Sequence, residues 1–294
     1  MKQFDVSADS TCDLYADEAK KLDVSIGHLD FVVTSGGNMI EYKDDFKTYD
    51  EYKNFYNLLR QGAISKTSIL NLQAHIELFT AMAKRGIKTA IHFSQGRGLS
   101  PTVDNANAAI EEVKKSYPDI NYVAIDSNTT TVGEGMLVKI ACKMRDEGKS
   151  LTETVDYINS IKDKIQHLVI VDDLQFLKRG GRISSMQATF GSLLQVKPII
   201  EMSREGKLEV VRKERGLKKA MKSIVAEART YTQNGNIGVV VHTDNEAAAN
   251  ELADMVNEAI GYRPEIRMMG PTIGSHVGPN AIAYAFISGE NRPF

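Results

Sequence analysis

Apolar positions along this chain fall into two alternating patterns. Gln3–Ser7, Thr89–Phe93, Tyr122–Ile125 and His167–Val171 carry apolar residues at consecutive positions. They read as strands buried on both faces, the habit of a parallel sheet. Helical patterns lie between them. Thr48-Tyr49-Asp50-Glu51 and Ser150-Leu151-Thr152-Glu153 fit the capping box that opens a helix. After the first, Tyr52, Phe55, Tyr56 and Leu59 recur at helical spacing and Gly62 suits the stop, so this aromatic stripe reads as core packing. Asn71 is placed to cap a further helix whose Leu72, Ile76 and Phe79 mark its buried face. Beyond residue 165 the order loosens. Val196–Met202, Lys207–Lys213, Ile237–His242, Glu265–Met269 and Ala281–Ile287 read as strands, with helices over Leu217–Tyr231 and Glu246–Ile260. The pattern predicts an α/β fold in two domains: 1–162, a mostly parallel sheet with flanking helices, and 163–294, a mixed α/β domain. A ligand site between them is the geometric default for such a chain.

Composition agrees with this division. A chain of 294 residues, 42% hydrophobic and 25% charged, is long for one core and ordinary for two. A net charge of -2 indicates neither nucleic acid nor an anionic membrane as partner. No apolar run approaches the roughly 18 residues of a membrane span. Two cysteines, Cys12 and Cys142, and an N-terminus without a signal-peptide core place the expected protein in a reducing cytoplasm. Two distant cysteines and six histidines without HExxH or CxxC spacing argue against a metal.

Candidate chemistry concentrates in segments that follow strands or open helices. Gly270-Pro271-Thr272-Ile273-Gly274-Ser275-His276-Val277-Gly278-Pro279 reads as a stiff loop framing one histidine, open to a ligand clamp or an acid-base group. Asp9-Ser10-Thr11-Cys12-Asp13 fits an anion site at a helix start, or a plain N-cap. Lys66-Thr67-Ser68 is open to the same two readings. Ser94-Gln95-Gly96-Arg97-Gly98-Leu99-Ser100-Pro101-Thr102 follows a strand at the sheet end where ligands lie, which favours function. It is a poor nucleophile elbow, because Pro101 has no N–H to give an oxyanion after Ser100. It is a poor dinucleotide loop for the same reason of sequence, since Pro101 replaces the third glycine. Leu174–Ser184 places Lys178, Arg179 and Arg182 around Gly180-Gly181, either a phosphate clamp or a solvated turn. Lys213, Arg215 and Gly216 repeat that arrangement.

Taken together these segments resemble the DegV family, bacterial fatty-acid-binding proteins that supply a fatty acid kinase. The resemblance rests on Asp9-Ser10-Thr11, Thr67-Ser68, Ser94 with Gly98-Leu99-Ser100, Asp126-Ser127, Leu177–Ser184, Lys197-Pro198-Ile199, Arg215-Gly216 and Gly274–Pro279, in this order along the whole chain. It departs from the family's pattern at Gln95, Gly96-Arg97 and Pro101. The resemblance implies a two-domain DegV-like fold with a lipid pocket between the domains. It also implies a long-chain fatty acid whose carboxylate sits among Thr67, Ser94 and His276, with Ser68, Gly98 and Ser275 alongside. Arg182 and Arg215 would face the kinase. The expected protein is a cytoplasmic, monomeric carrier without cofactor, metal or catalytic residue. It would hold the fatty acid for an ATP-dependent kinase that feeds phospholipid synthesis, with peripheral membrane contact at most. The competing readings are a serine hydrolase or acyl transferase using Ser94 or Ser100 with His276, and a binder of a phosphorylated small molecule using Asp9-Ser10-Thr11 and Arg182.

Overall fold

The computed structural model describes residues 2–183, 196–231 and 238–294. Ser184 and Ile237 therefore lie outside the described residues. The chain divides into two compact units, one of Met1–Val32, Glu41–Lys47 and Thr67–Lys162, the other of Val33–Ile40, Thr48–Lys66 and Asp163–Phe294.

In the first unit, β1 (Asp5–Asp9), β2 (Val24–Gly27), β6 (Thr89–Ser94) and β7 (Asn121–Asp126) form one sheet in the order β2-β1-β6-β7, with every pairing parallel. The register sets Val6 opposite both Val24 and Ile91, and Ser94 opposite Asp126. Asp9 and Ser94 thus end neighbouring strands. Helices α1 (Ala16–Lys21), α3 (Leu72–Lys84), α4 (Thr102–Lys114), α5 (Thr131–Asp146) and α6 (Leu151–Ile161) belong to the same unit. Phe79 and Met82 of α3 pack with Ala106, Ala109, Ile110 and Val113 of α4 over Ala90 and Tyr122, so the helical apolar stripes close on the sheet. The caps anticipated from sequence form. Asn71 accepts from Ala74 N at 2.9 Å, and Ser150 exchanges hydrogen bonds with Glu153.

A further sheet has the order β4-β3-β5, from β3 (Asp30–Ser35), β4 (Asn38–Lys43) and β5 (Ile64–Thr67). The second unit holds a six-stranded sheet, β10-β9-β8-β13-β11-β12, built from β8 (Ile165–Ile170), β9 (Val196–Met202), β10 (Leu208–Arg215), β11 (Gly238–His242), β12 (Glu265–Met268) and β13 (Ile282–Ile287). It is mixed: β11 pairs with β12 in parallel, and the other pairings are antiparallel. The His167–Val171 run was expected as a parallel strand. Instead β8 runs antiparallel to both β9 and β13, because full burial, which gives the apolar run, is reached here by an interior antiparallel strand.

Among the described residues, helices α2 (Tyr49–Arg60), α7 (Gln175–Arg179), α8 (Leu217–Tyr231), α9 (Glu246–Ile260) and α10 (Pro271–Val277) belong to this unit. Ala220, Ile224, Leu252 and Val256 of α8 and α9 close on Leu168, Val240 and Phe286 of the sheet. The capping box of α2 forms, Glu51 accepting from Thr48 N at 2.7 Å. Arg60, at the end of α2, donates to Asp244 O at 2.8 Å and to Asn280 Oδ1 at 2.9 Å. Arg292 is fully buried and donates to Ile165 O at 3.1 Å and Ser203 O at 2.6 Å, fastening the C-terminal segment.

The Gly270–Pro279 segment is a correction. It is not a loop: Pro271 opens a two-turn helix, α10, that ends at Gly278 with φ +78°. Proline at the first helical position and glycine just past the last are the punctuation of a short helix, and here they bracket His276.

Candidate functional site

Ser94 is the last residue of β6 and Gln95 leaves the sheet at its carboxyl end, where the strand ladder no longer uses backbone groups. The segment is fixed from beneath. Gln95 N–H donates to Asp9 Oδ2 at 3.0 Å, the Gln95 side chain donates to Thr130 Oγ1 at 3.0 Å, and Gly96 N–H donates to Thr129 O at 2.8 Å. Gly96 is required by closeness, since a Cβ there would stand 2.8 Å from Thr129 N and 2.9 Å from Asn128 C. Gly98 turns the chain back, with Leu99 N and Ser100 N both donating to Gly96 O. Arg97 points outward and pairs with Asp104 at 2.5 Å, both side chains more than half exposed, so its charge is spent in solvent.

Within this anchored segment the Ser94 hydroxyl stands out. It is fully buried and hydrogen-bonds no described residue. A buried hydroxyl without a partner costs about 1–3 kcal/mol. Ser100 is buried too, and Pro101 caps α4 without a side-chain bond. Thr67 ends β5 half-buried, whereas Ser68 is exposed and donates its hydroxyl to Asp30 O at 2.8 Å. Asp9 accepts from Thr11 N at 3.1 Å, the capping arrangement.

The second unit carries the histidine. His276 sits in the last turn of α10, and that helix is gripped along its length. Tyr56 of α2 donates to Met269 O at 2.7 Å, and its ring lies so close to Gly274 that a Cβ there would fall 2.3 Å from Tyr56 Oη. Ser275 donates to Pro271 O at 2.7 Å and so accepts from Ser65 Oγ, also at 2.7 Å. On the other side, the His276 ring rests on Gly180: a Cβ there would stand 2.1 Å from Nδ1. Phe176 of α7 covers Gly278 in the same way, and Arg179 stacks on Phe176 with its guanidinium 4.5 Å from the ring centre. Burial, and secondarily the Arg182 guanidinium, push His276 down to about 4 from an ordinary 6.5. At neutral pH it is an uncharged imidazole, able to donate from one nitrogen and accept at the other. Arg182 is half-buried and donates to Gly180 O, and Arg215 is exposed at the end of β10.

The predicted residues therefore divide. Thr67, Ser68, Ser94 and Gly98 lie in the first unit, and Ser275, His276, Arg182 and Arg215 in the second. Tyr56 and Gly180 are the positioning residues that sequence reasoning missed. Tyr56 was visible only as one member of an aromatic stripe, and its partner lies 213 residues away. Gly180 stood in a glycine pair read for its cations. Among the described residues no cluster of three His, Cys, Asp or Glu could hold a metal, and no helix is long and apolar enough to cross a membrane.

The DegV family model, described as an uncharacterised protein of that family, matches residues 3–289. The chain belongs to the DegV family. A DegV domain-containing protein of Clostridium perfringens is 33% identical over 296 residues, covering 100% of both chains. Among solved structures, a DegV lipid-binding protein of Thermotoga maritima superimposes with a TM-score of 0.86 at 25% identity, over 99% of this chain and 100% of that one. A fatty-acid-binding DegV family protein of Streptococcus agalactiae gives 0.81 at 26% identity, over 99% and 100%. The DegV fold is thus common to this chain and to proteins described by the lipids they bind.

Proposed function

We propose that this DegV protein binds a long-chain fatty acid and presents its carboxylate to a separate ATP-dependent fatty acid kinase. Thr67, Ser94 and His276 hold the carboxylate, with Ser68, Gly98 and Ser275 framing them, and Arg182 and Arg215 belong to the face that meets the kinase. The observation that carries this reading is the buried, unpartnered Ser94 hydroxyl at the carboxyl end of a parallel strand. A carboxylate taken out of water needs donors to replace its hydration, at several kcal/mol. Hydroxyls and a neutral imidazole N–H supply them without burying a second charge. The tail drives binding: a sixteen-carbon chain has about 14 methylenes, worth roughly 11 kcal/mol before ordering costs. The fatty-acid-binding relative from Streptococcus agalactiae supports the ligand class.

The hydrolase reading is weaker on two grounds. Ser94 has no hydrogen-bonded base among the described residues, and Pro101 offers no N–H beside Ser100. A bound carboxylate is already the product of acyl hydrolysis and requires holding alone.

The test is direct. The purified protein is denatured and its extract analysed by mass spectrometry, then the stripped protein is titrated with fatty acids. Co-purifying fatty acid and saturable uptake are expected, and neither appearing would end the carrier reading. Adding the kinase with ATP labelled at the γ-phosphate should yield acyl phosphate and ADP only when the loaded carrier is present.

A further inference from the structure

Beneath the Ser94 segment lies a buried acidic pair that the carboxylate-binding role does not use. Asp9 ends β1, Glu134 sits in the first turn of α5, and both are fully buried. Thr11 stands between them, its Oγ1 within hydrogen-bond distance of Asp9 Oδ1 and 2.8 Å from Glu134 Oε2. A hydroxyl has one proton to give. It can donate to one carboxylate only, so the contact with the other requires a proton from that carboxyl.

The surroundings decide which. Asp9 collects three donors: Gln95 N–H at 3.0 Å, Thr11 N–H at 3.1 Å and the Thr11 hydroxyl. Glu134 has the shared Thr11 hydroxyl and a side-chain hydrogen bond with Asp9 that favours the proton on Glu134, and its Oε1 is buried without a partner among the described residues. Three donors stabilise a carboxylate, whereas a bare buried oxygen penalises one. We infer that Asp9 and Glu134 hold a single proton between them, bridged by Thr11 and by their own contact, with Glu134 neutral and Asp9 ionised, and that Asp9 in this state positions the backbone that carries Ser94. The chain of donors runs Glu134 Oε2–H to Thr11 Oγ1, Thr11 Oγ1–H to Asp9 Oδ1, and Gln95 N–H to Asp9 Oδ2. Its end is the residue next to the unpartnered Ser94 hydroxyl, the group that itself points to a ligand.

The titratable groups facing Glu134 are Asp9, Cys12 and Asp13, all anionic when ionised, so burial and repulsion act in one direction and raise its proton affinity. The stability conferred by a neutral Glu134 is present at low pH and is lost as the pH climbs through its folded value. Ionising it would set two buried carboxylates against one hydroxyl and loosen the Gln95 anchor.

The inference rests on the carboxylate-binding reading only in its second half, and the experiment separates the two. Infrared difference spectra of the lipid-free, full-length protein at neutral pH should contain a protonated-carboxyl band that Glu134→Gln abolishes and Thr11→Val shifts to higher frequency, as for a carboxyl that loses its acceptor. Fatty-acid titrations should then show wild type losing affinity at alkaline pH, and Glu134→Gln keeping the wild-type affinity at neutral pH, because the amide still donates to Thr11, without that alkaline loss. Asp9→Asn should weaken binding roughly tenfold or more. A missing carboxyl band, or a Glu134→Gln affinity that falls as far as that of Asp9→Asn, overturns the inference. The band is read without lipid, so it answers even if no fatty acid binds.

Discussion

Gly180 lets the place of His276 be tested by adding one carbon. Its φ is −74°, a conformation any residue adopts, so Gly180→Ala introduces no backbone strain. The new Cβ would stand 2.1 Å from His276 Nδ1, 2.9 Å from Cε1 and 3.2 Å from Cγ. Restoring an ordinary contact near 3.4 Å moves the ring edge by about 1.3 Å. A hydrogen bond of normal length does not survive such a shift. The fold loses about 1–3 kcal/mol, typical of one extra methyl in a packed place. Binding loses a charge-assisted hydrogen bond, about 1.5–3 kcal/mol, or roughly ten- to a hundredfold in fatty-acid affinity. Gly181 is the control. Its φ of +70° makes alanine strained, yet a Cβ there meets no described atom within 4 Å. Gly181→Ala should therefore cost roughly 1–2 kcal/mol of stability and leave affinity unchanged. Calorimetric titration with a long-chain fatty acid, paired with thermal melts, reads both quantities. If Gly180→Ala binds as tightly as wild type, or Gly181→Ala loses as much affinity, His276 is not the group that the carboxylate meets.

Three further outcomes follow from the same geometry. Ser94→Ala should weaken fatty-acid binding while leaving the lipid-free protein as stable or about 1 kcal/mol more stable, since it removes a buried hydroxyl without a partner; a large drop in melting temperature would contradict this. Burial holds His75 near a pKa of about 4 against an ordinary 6.5, so its contribution is complete above 6.5 and lost as the pH falls toward 4. Urea denaturation at about pH 5 should register a loss of about 2 kcal/mol that is absent in His75→Phe, and equal acid sensitivity in the two proteins would exclude His75 as the source. Tyr56→Phe removes the donor to Met269 O and should cost about 1–2 kcal/mol, with faster amide exchange in α10 as its local signature; unchanged exchange there would separate Tyr56 from the histidine-bearing helix.

The elements that were legible from sequence are those whose signal is local. Val196–Met202, Leu217–Tyr231 and Glu246–Ile260 form as the periodicity predicts, because a buried strand or an amphipathic helix writes its own period into the chain. Asn71 and Ser150 cap helices for the same reason. The strands β2 to β5 escaped notice. Met39 and Ile40 of β4 and Ile64 of β5 are exposed, so apolar positions mark no buried face there, whereas β3 does alternate, with Phe31 and Val33 buried, but over a run of only six residues, and β2 is only four residues long. Gly270–Pro279 was legible as an important segment and misread as a loop, since two turns are too short to establish a helical period. Ser94 and His276 could be chosen by chemical type and position, but not the groups that hold them. Asp9 reaches Gln95 across 86 positions and Tyr56 reaches Met269 across 213, and such pairings exist only after the strands are in register.

The second unit draws α2 and part of β5 from the first half of the chain, and this bears on how the gene can be cut. A fragment starting at Asp163 would encode the six-stranded sheet and α10 but leave behind Phe55, Tyr56, Leu59 and Arg60. Its uncovered apolar surface and unfastened Asn280 turn would favour aggregation. Supplied as a separate peptide, residues 48–66 carry their own capping box, their aromatic face and the guanidinium that grips Asp244. Fragment complementation with this peptide would report, as an independent binding partner, on the integrity of the surface that holds His276 in place, although the second unit also takes in Val33–Ile40.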